Sequence, residues 1–361
     1  MKKLIFCLLA GMMMALTGAA QEKQVAGAGA AQEEKIAVVA QEKQVAPTGD
    51  SQEKCCAARQ ETAQEKRWAV VELSVNNMRE QPDYAAELGD QSLMGTLVEI
   101  VGEESYWRQI VNPKPYKAWA NEMGLVEMTE TEKDAYLEAP KYICTADYAR
   151  IWSEPSEKSM GVCDFVAGDL VRQCLNAKGK ALRHKHFVKV MLPSGRTGWV
   201  RREAVEDFQD WTSTRSATAA EILENAYRFI GVPYLWGGTS IKGVDCSGLV
   251  WSAYFLSGLL LPRDASQQVN AGTEVTPDAE HLMPGDLIFF GRAATAEKPE
   301  SITHVGIYIG GGMYIHSSQL VRISSIDPAS EDYAGRLPIR GRRILGDDSV
   351  PRIAGSPYYF K

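Results

Sequence analysis

The chain has 361 residues, 45% hydrophobic and 24% charged, which allows two or three domains with buried cores and is unlike a fibrous or disordered protein. With 39 Lys and Arg against 46 Asp and Glu the formal charge is -7, and the densest late basic cluster is only Arg340-Gly341-Arg342-Arg343. That balance makes nucleic acid a poor partner.

Lys2 and Lys3 precede an apolar run ending near Leu16, followed by small residues through Ala20 and then polar Gln21. This is the layout of a cleavable secretory signal over 1–20, so export to the periplasm or cell envelope is expected. From 21 to 66 the chain repeats QEKQVA at 21 and 41, QEEK at 32, QEKC at 52 and QEKR at 64. So little apolar surface cannot offset ordering entropy, and the segment reads as a low-complexity tether, with a helical reading of its Ala, Gln, Glu and Lys content as the alternative. No later stretch approaches the roughly 18 uninterrupted apolar residues of a membrane-spanning helix, and none is expected. Among Cys144, Cys163 and Cys174, export permits a disulfide; small buried hydrophobes are the other reading.

From Trp68 the pattern turns to short β-rich runs, AVVELSV, LMGTLVEIV, YWRQIV, YKAWA and GLVEM, which predict a small barrel over 67–130. YICTADYARIW, GDLVRQCL, HFVKVMLPSG and RTGWVRREAV repeat that grammar over 140–208. An Asn77-x-Arg79 or Ala149-x-Ile151 start and a late aromatic, Trp119 or Trp199, make both similar to bacterial SH3-like modules. The remainder, 213–361, opens with a helical period in which Ile222, Ala226 and Phe229 share a face before Gly231. The expected architecture is α+β: a mixed catalytic domain after two small barrels.

Two motifs in that last domain carry chemistry. In Val244-Asp245-Cys246-Ser247-Gly248-Leu249-Val250 the sequence becomes helical after Asp245, which places Cys246 at a helix start. There, unpaired amides and the helix dipole favour a thiolate, and the same amides can face an oxyanion. Asp245 also has the chemistry of an N-cap. In Thr303-His304-Val305-Gly306-Ile307-Tyr308-Ile309 apolar residues alternate with the rest, and three glycines lead into Met313-Tyr314-Ile315-His316. If Ile309 pairs with Met313, His304 and His316 lie on one sheet face, one diagonal step of about 7–8 Å apart at Cα. Cys246 as nucleophile, His304 as base and His316 as its orienter form a Cys-His-His arrangement. His184 and His186 have no third ligand nearby, and neither a metal nor an organic cofactor is expected.

The order Asp245-Cys246-Ser247-Gly248 then His304-Val305-Gly306 resembles the NlpC-type papain-like cysteine peptidases, which cut the D,L peptides of peptidoglycan. The chain is similar in particular to the YkfC-like dipeptidyl-peptidases, where an SH3-like module narrows the cleft so that a free N-terminal L-alanine is required. The resemblance implies that Asp245, with Ser247 beside it, binds the substrate amine, and that Ser266 in Leu261-Pro262-Arg263-Asp264-Ala265-Ser266-Gln267 contacts substrate; Tyr234, by its place before Trp236-Gly237-Gly238, reads as lining the cleft or the oxyanion site, with a core aromatic as the alternative. From the first barrel it implies a carboxylate and an aromatic, for which Glu87 and Tyr116 or Trp119 are the candidates. It implies cleavage of the γ-D-glutamyl-diamino acid bond in free peptides, releasing L-Ala-γ-D-Glu; the sequence leaves the oligomeric state open, with a monomer as the default. The alternatives are an endopeptidase of the same bond in intact murein and a non-catalytic wall-binding protein.

Overall fold

The computed structural model describes residues 66–361. The export signal expected over 1–20, and all of the tether expected over 21–66 but its last residue, lie outside them. Among the described residues no helix is long and apolar enough to cross a membrane.

Alternation of apolar and polar residues builds three main antiparallel sheets. The first runs in the order Leu88–Leu93, Val75–Arg79, Lys117–Asn121, Trp107–Val111, Leu97–Glu104, Arg67–Val71, Leu125–Met128. Ala69, Val71, Met78, Val98, Ile110, Ala118 and Ala120 point to its core. Helix Glu130–Glu138 follows, started by a Thr129/Glu132 capping box. The second sheet runs Gly161–Val166, Tyr148–Trp152, Thr197–Arg201, Phe187–Met191, Leu170–Gln173, Lys141–Cys144, Val205–Asp207, with Arg183–His184 beside Phe187–Met191. Cys144, Cys163, Cys174 and Cys246 are free.

In the last part, helices Ala219–Tyr227 and Cys246–Phe255 pack together, and the second lies on a six-stranded sheet. That sheet has the order Thr273–Val275, Arg340–Arg343, Leu287–Arg292, Ser301–Gly310, Met313–Ser318, Leu320–Ser325. Every residue of helix Cys246–Phe255 is buried, so it is the centre of the fold and not an amphipathic surface helix.

The three sheets are tied to one another. Leu93 of the first and Ile143, Val166 and Leu170 of the second join the apolar cluster around Leu249 and Phe255. Buried Asp169 accepts the Met94 amide at 3.0 Å and the Val166 amide at 2.8 Å. Gln91 of the first sheet takes both Thr239 donors, N at 3.1 Å on Oε1 and Oγ1 at 3.1 Å on its carbonyl. The first sheet is thereby fixed beside the loop that precedes Cys246.

Candidate active site

Cys246 is the first residue of its helix because Asp245 Oδ1 accepts the Gly248 amide at 2.7 Å, an N-cap bond. Gly248 is dictated by close packing, since a Cβ there would come within 2.0 Å of Gly238 O. The backbone amides of Val305 and Ser247 face the sulfur and favour the thiolate. Burial outweighs them and, with Asp245 adding, pushes the thiol up to about 11. A standing thiolate, which the helix start alone would predict, is therefore not the resting state: desolvation wins over the dipole.

Ile307 pairs with Ile315 and Tyr308 with Tyr314, but Met313 pairs with Gly310 and not with Ile309, which bulges out. The bulge restores the register that a direct Ile309–Met313 pair would have given. His316 therefore sits opposite Gly306, one diagonal step from His304. His304 Nε2 and His316 Nδ1 are 2.8 Å apart, and His316 Nε2 is 3.0 Å from Ser324 Oγ. Gly306 makes the room, because a Cβ would meet Tyr314 Cδ2 at 2.6 Å and His316 Cβ at 3.3 Å. Burial pulls His304 down to about 4, with Arg336 and Arg322 adding, and pulls His316 down to about 3, with His304 adding. Both rings are neutral at neutral pH. If His304 Nε2 donates to His316 Nδ1, and His316 Nε2 to Ser324, then His304 Nδ1 is left as the acceptor.

Asp245 is almost fully occupied. Besides Gly248, its oxygens accept the Gly237 amide at 2.9 Å, Arg263 Nη1 at 3.2 Å and Nη2 at 2.5 Å, and the Ser247 hydroxyl at 3.2 Å. Ser247 Oγ in turn accepts Arg263 Nη1 at 2.9 Å. A carboxylate has about four acceptor sites, and these are filled. The Tyr234 phenol lies close enough to Cys246 and Asp245 for both to act on it, and burial first, then their charges, push it up, so it stays a donor. Ser266 is exposed on the four-residue helix Ala265–Gln268, and its carbonyl accepts Asn270 Nδ2 at 3.2 Å.

The first sheet brings Tyr116 to this region, yet the carboxylate it meets is Glu80. Tyr116 donates to Glu80 Oε1 at 2.6 Å. Glu87 lies across the hairpin, its carbonyl accepting the Glu80 amide at 3.0 Å, and is exposed. Trp119 stands on the face away from the Ala118 and Ala120 core, beside Arg79 and Gln109 across the strands. Asp264 completes the cluster: burial pushes its carboxyl up, Arg263 opposes this, and Asp90, Asp245 and Glu80 add to it. Sequence reasoning missed Glu80, Asp264, Arg263 and Ser324. Glu80 directly follows the Asn77-x-Arg79 cue and Asp264 adjoins Arg263, so both were within reach of the motifs; Ser324 has no local signal.

The sequence profile of the NlpC/P60 family matches residues 231–338, which hold Cys246, His304 and His316. The γ-D-glutamyl-L-lysine dipeptidyl-peptidase of Bacillus cereus is 30% identical over 265 residues, 70% of this chain and 75% of that one. The chain belongs to the NlpC/P60 family. It is a cysteine-type peptidase. Dipeptidyl-peptidase 6 of Lysinibacillus sphaericus is 27% identical over 72% of this NlpC/P60 chain and 92% of its own. The crystal structure of an NlpC/P60 family protein from Bacillus cereus covers 77% of this chain and 99% of its own at a TM-score of 0.63 and 24% identity, a likeness of fold.

Proposed function

We propose that this NlpC/P60 peptidase hydrolyses the γ-D-glutamyl-diamino acid bond of peptidoglycan-derived peptides that carry a free N-terminal L-alanine, releasing L-Ala-γ-D-Glu, and that it works in the cell envelope. The relatives' names, γ-D-glutamyl-L-lysine dipeptidyl-peptidase and dipeptidyl-peptidase 6, support the bond and the reaction. The observation that carries the free-amine requirement is the Glu80–Tyr116 pair set by the first sheet against Asp264.

Two carboxylates beside one phenol present a surplus of negative charge that an ammonium group neutralises. Since the acceptor sites of Asp245 are filled, Glu80 and Asp264 hold the amine directly in this reading, while Asp245 and Ser247 line the same wall. The first two sheets act as SH3-like barrels, the first of them closing the amine end of the cleft.

In the reaction, Cys246 Sγ attacks the γ-carbonyl carbon of D-glutamate as its proton passes to His304. His316 and Ser324 fix the His304 tautomer, and the Tyr234 hydroxyl donates to the oxyanion. Collapse breaks the C–N bond, His304 protonates the leaving amine, and a thioester remains. Water, deprotonated by His304, attacks the thioester, which frees the dipeptide and returns the sulfur.

The test compares L-Ala-γ-D-Glu-diamino acid peptides, with either meso-diaminopimelate or lysine, against the same peptides acylated on the alanine amine. Cleavage confined to the free amine supports the proposal. Equal cleavage of both would instead favour an endopeptidase of intact murein.

A further inference from the structure

A line of four buried charged groups runs from the first sheet to the residue before the nucleophile. Lys114 Nζ donates to Asp90 Oδ1 at 2.7 Å and to the Gln91 carbonyl at 2.6 Å. Asp90 Oδ1 also accepts Arg263 Nε at 2.7 Å, and its Oδ2 accepts Asn112 Nδ2 at 2.6 Å. Arg263 then grips Asp245 through Nη1 and Nη2. Asp90 is 0% exposed, Arg263 1%, Lys114 3% and Asp245 5%. Lys114 further rests over the Trp251 ring at 4.3 Å, so the line touches the nucleophile helix at two points.

Cations and anions alternate along this line, two of each, and one guanidinium serves both carboxylates. A shared buried cation divides its hold according to the charge on either side. If Asp90 loses its lysine, Arg263 is drawn toward Asp90 and its hold on Asp245 weakens; if Asp90 loses its charge, Arg263 belongs to Asp245 alone. Asp245 and Arg263 act on the Cys246 thiol with opposite sign, the carboxylate opposing ionisation and the guanidinium favouring it. Tyr234 also feels the Cys246 sulfur, His304 directly precedes Val305, whose amide faces the sulfur, and Arg322 and Arg336 act on the His304 and His316 rings.

We propose that Asp90 of the first sheet and Lys114, in the turn between its strands Trp107–Val111 and Lys117–Asn121, are positioning residues for Cys246: through Arg263 they keep Asp245 paired, and so set the charge that faces the sulfur. The first sheet then has an electrostatic reach into the catalytic helix, separate from any contact with substrate. A change in the first sheet 132 or more residues before the thiol (Lys114 against Cys246) alters how the thiol reacts.

The experiment reads the thiol without substrate, so it stands apart from the proposed function: the rate of Cys246 alkylation by iodoacetamide as a function of pH, in the whole protein, with Cys246→Ala marking the background. Below about pH 8, where Lys114 still holds its proton, Lys114→Met should slow the alkylation roughly tenfold at fixed pH, Lys114→Arg should restore the rate, and Asp90→Asn should raise it. In the wild type the curve should be broader than a single titration, because burial brings Lys114 down to about 8, so that it loses its proton before the thiol does. This wild-type curve carries the test should a variant fail to fold. A role in packing alone lowers the melting temperature of the variants and leaves the alkylation rate below about pH 8 in place. Alkylation rates below about pH 8 that do not change, changes of one sign in Lys114→Met and Asp90→Asn alike, or a wild-type curve of single-group shape would overturn the proposal.

Discussion

His304 and His316 face each other across adjacent strands with Nε2 and Nδ1 2.8 Å apart, and the second ring continues to Ser324 at 3.0 Å. One proton sits between the rings, and its placement decides which nitrogen of His304 is open. With the Ser324 hydroxyl accepting from His316 Nε2, His316 Nδ1 is left as the acceptor; with the hydroxyl donating, the His304 tautomer is reversed.

Removing the orienting bond should slow the chemistry while binding is kept. Ser324→Ala should lower kcat roughly fivefold, the equivalent of one hydrogen bond of about 1 kcal/mol, with KM unchanged. His304→Ala, which removes the base itself, should cost about 10²–10⁴-fold in kcat. Steady-state kinetics on the free-amine peptide checks both.

Gly306 is a second handle on the same pair. Its Cβ position collides with Tyr314 and crowds His316, so Gly306→Ala should displace the imidazole. Activity is expected to fall further than the accompanying drop in melting temperature would explain.

The amine end of the cleft makes a separate prediction. Glu80→Gln and Asp264→Asn should each raise KM for the free-amine peptide by roughly 10- to 100-fold, the range of a hydrogen bond to a charged group. Glu87→Gln should have little effect, since Glu80 is the carboxylate bonded to Tyr116. A KM that moves only with Glu87 would reverse the assignment.

Acidity should act on both rate and stability. With His304 pulled down to about 4 and Cys246 pushed up to about 11, neutral imidazole and thiol coexist across neutral pH. The acid limb of kcat/KM should lie near 4, because a protonated His304 cannot accept the thiol proton. For stability, the unfolded histidines bind protons below about 6.5 while the folded ones do not, so unfolding takes up protons in that window. Stability should therefore fall as pH drops from about 6.5 toward 4, and His316→Asn should lessen the slope in urea unfolding.

Much of this site is legible in the chain. The cysteine motif predicts a helix start because Asp245 can cap it, and period-two alternation puts both histidines on one face whatever even shift the hairpin takes. The bulge at Ile309 is less legible, as three consecutive glycines permit several turns and the pairing of core residues Ile307 and Ile315 selects one. Resting protonation is not legible at all, because it follows from burial by elements far along the chain. The same holds for Asp90, Lys114 and Arg263, polar residues whose side-chain partners lie 16 or more positions away and whose spacing carries no period. Glu87 and Glu80 differ as candidates only through the hairpin that sets one of them on Tyr116.

The most direct test of the central claim is mass analysis of the products that wild type and Cys246→Ala form from L-Ala-γ-D-Glu-L-lysyl and L-Ala-γ-D-Glu-diaminopimelyl peptides. The account predicts L-Ala-γ-D-Glu and the freed diamino acid peptide from wild type and no products from the variant. Cleavage at another bond, or products undiminished in Cys246→Ala, would contradict it.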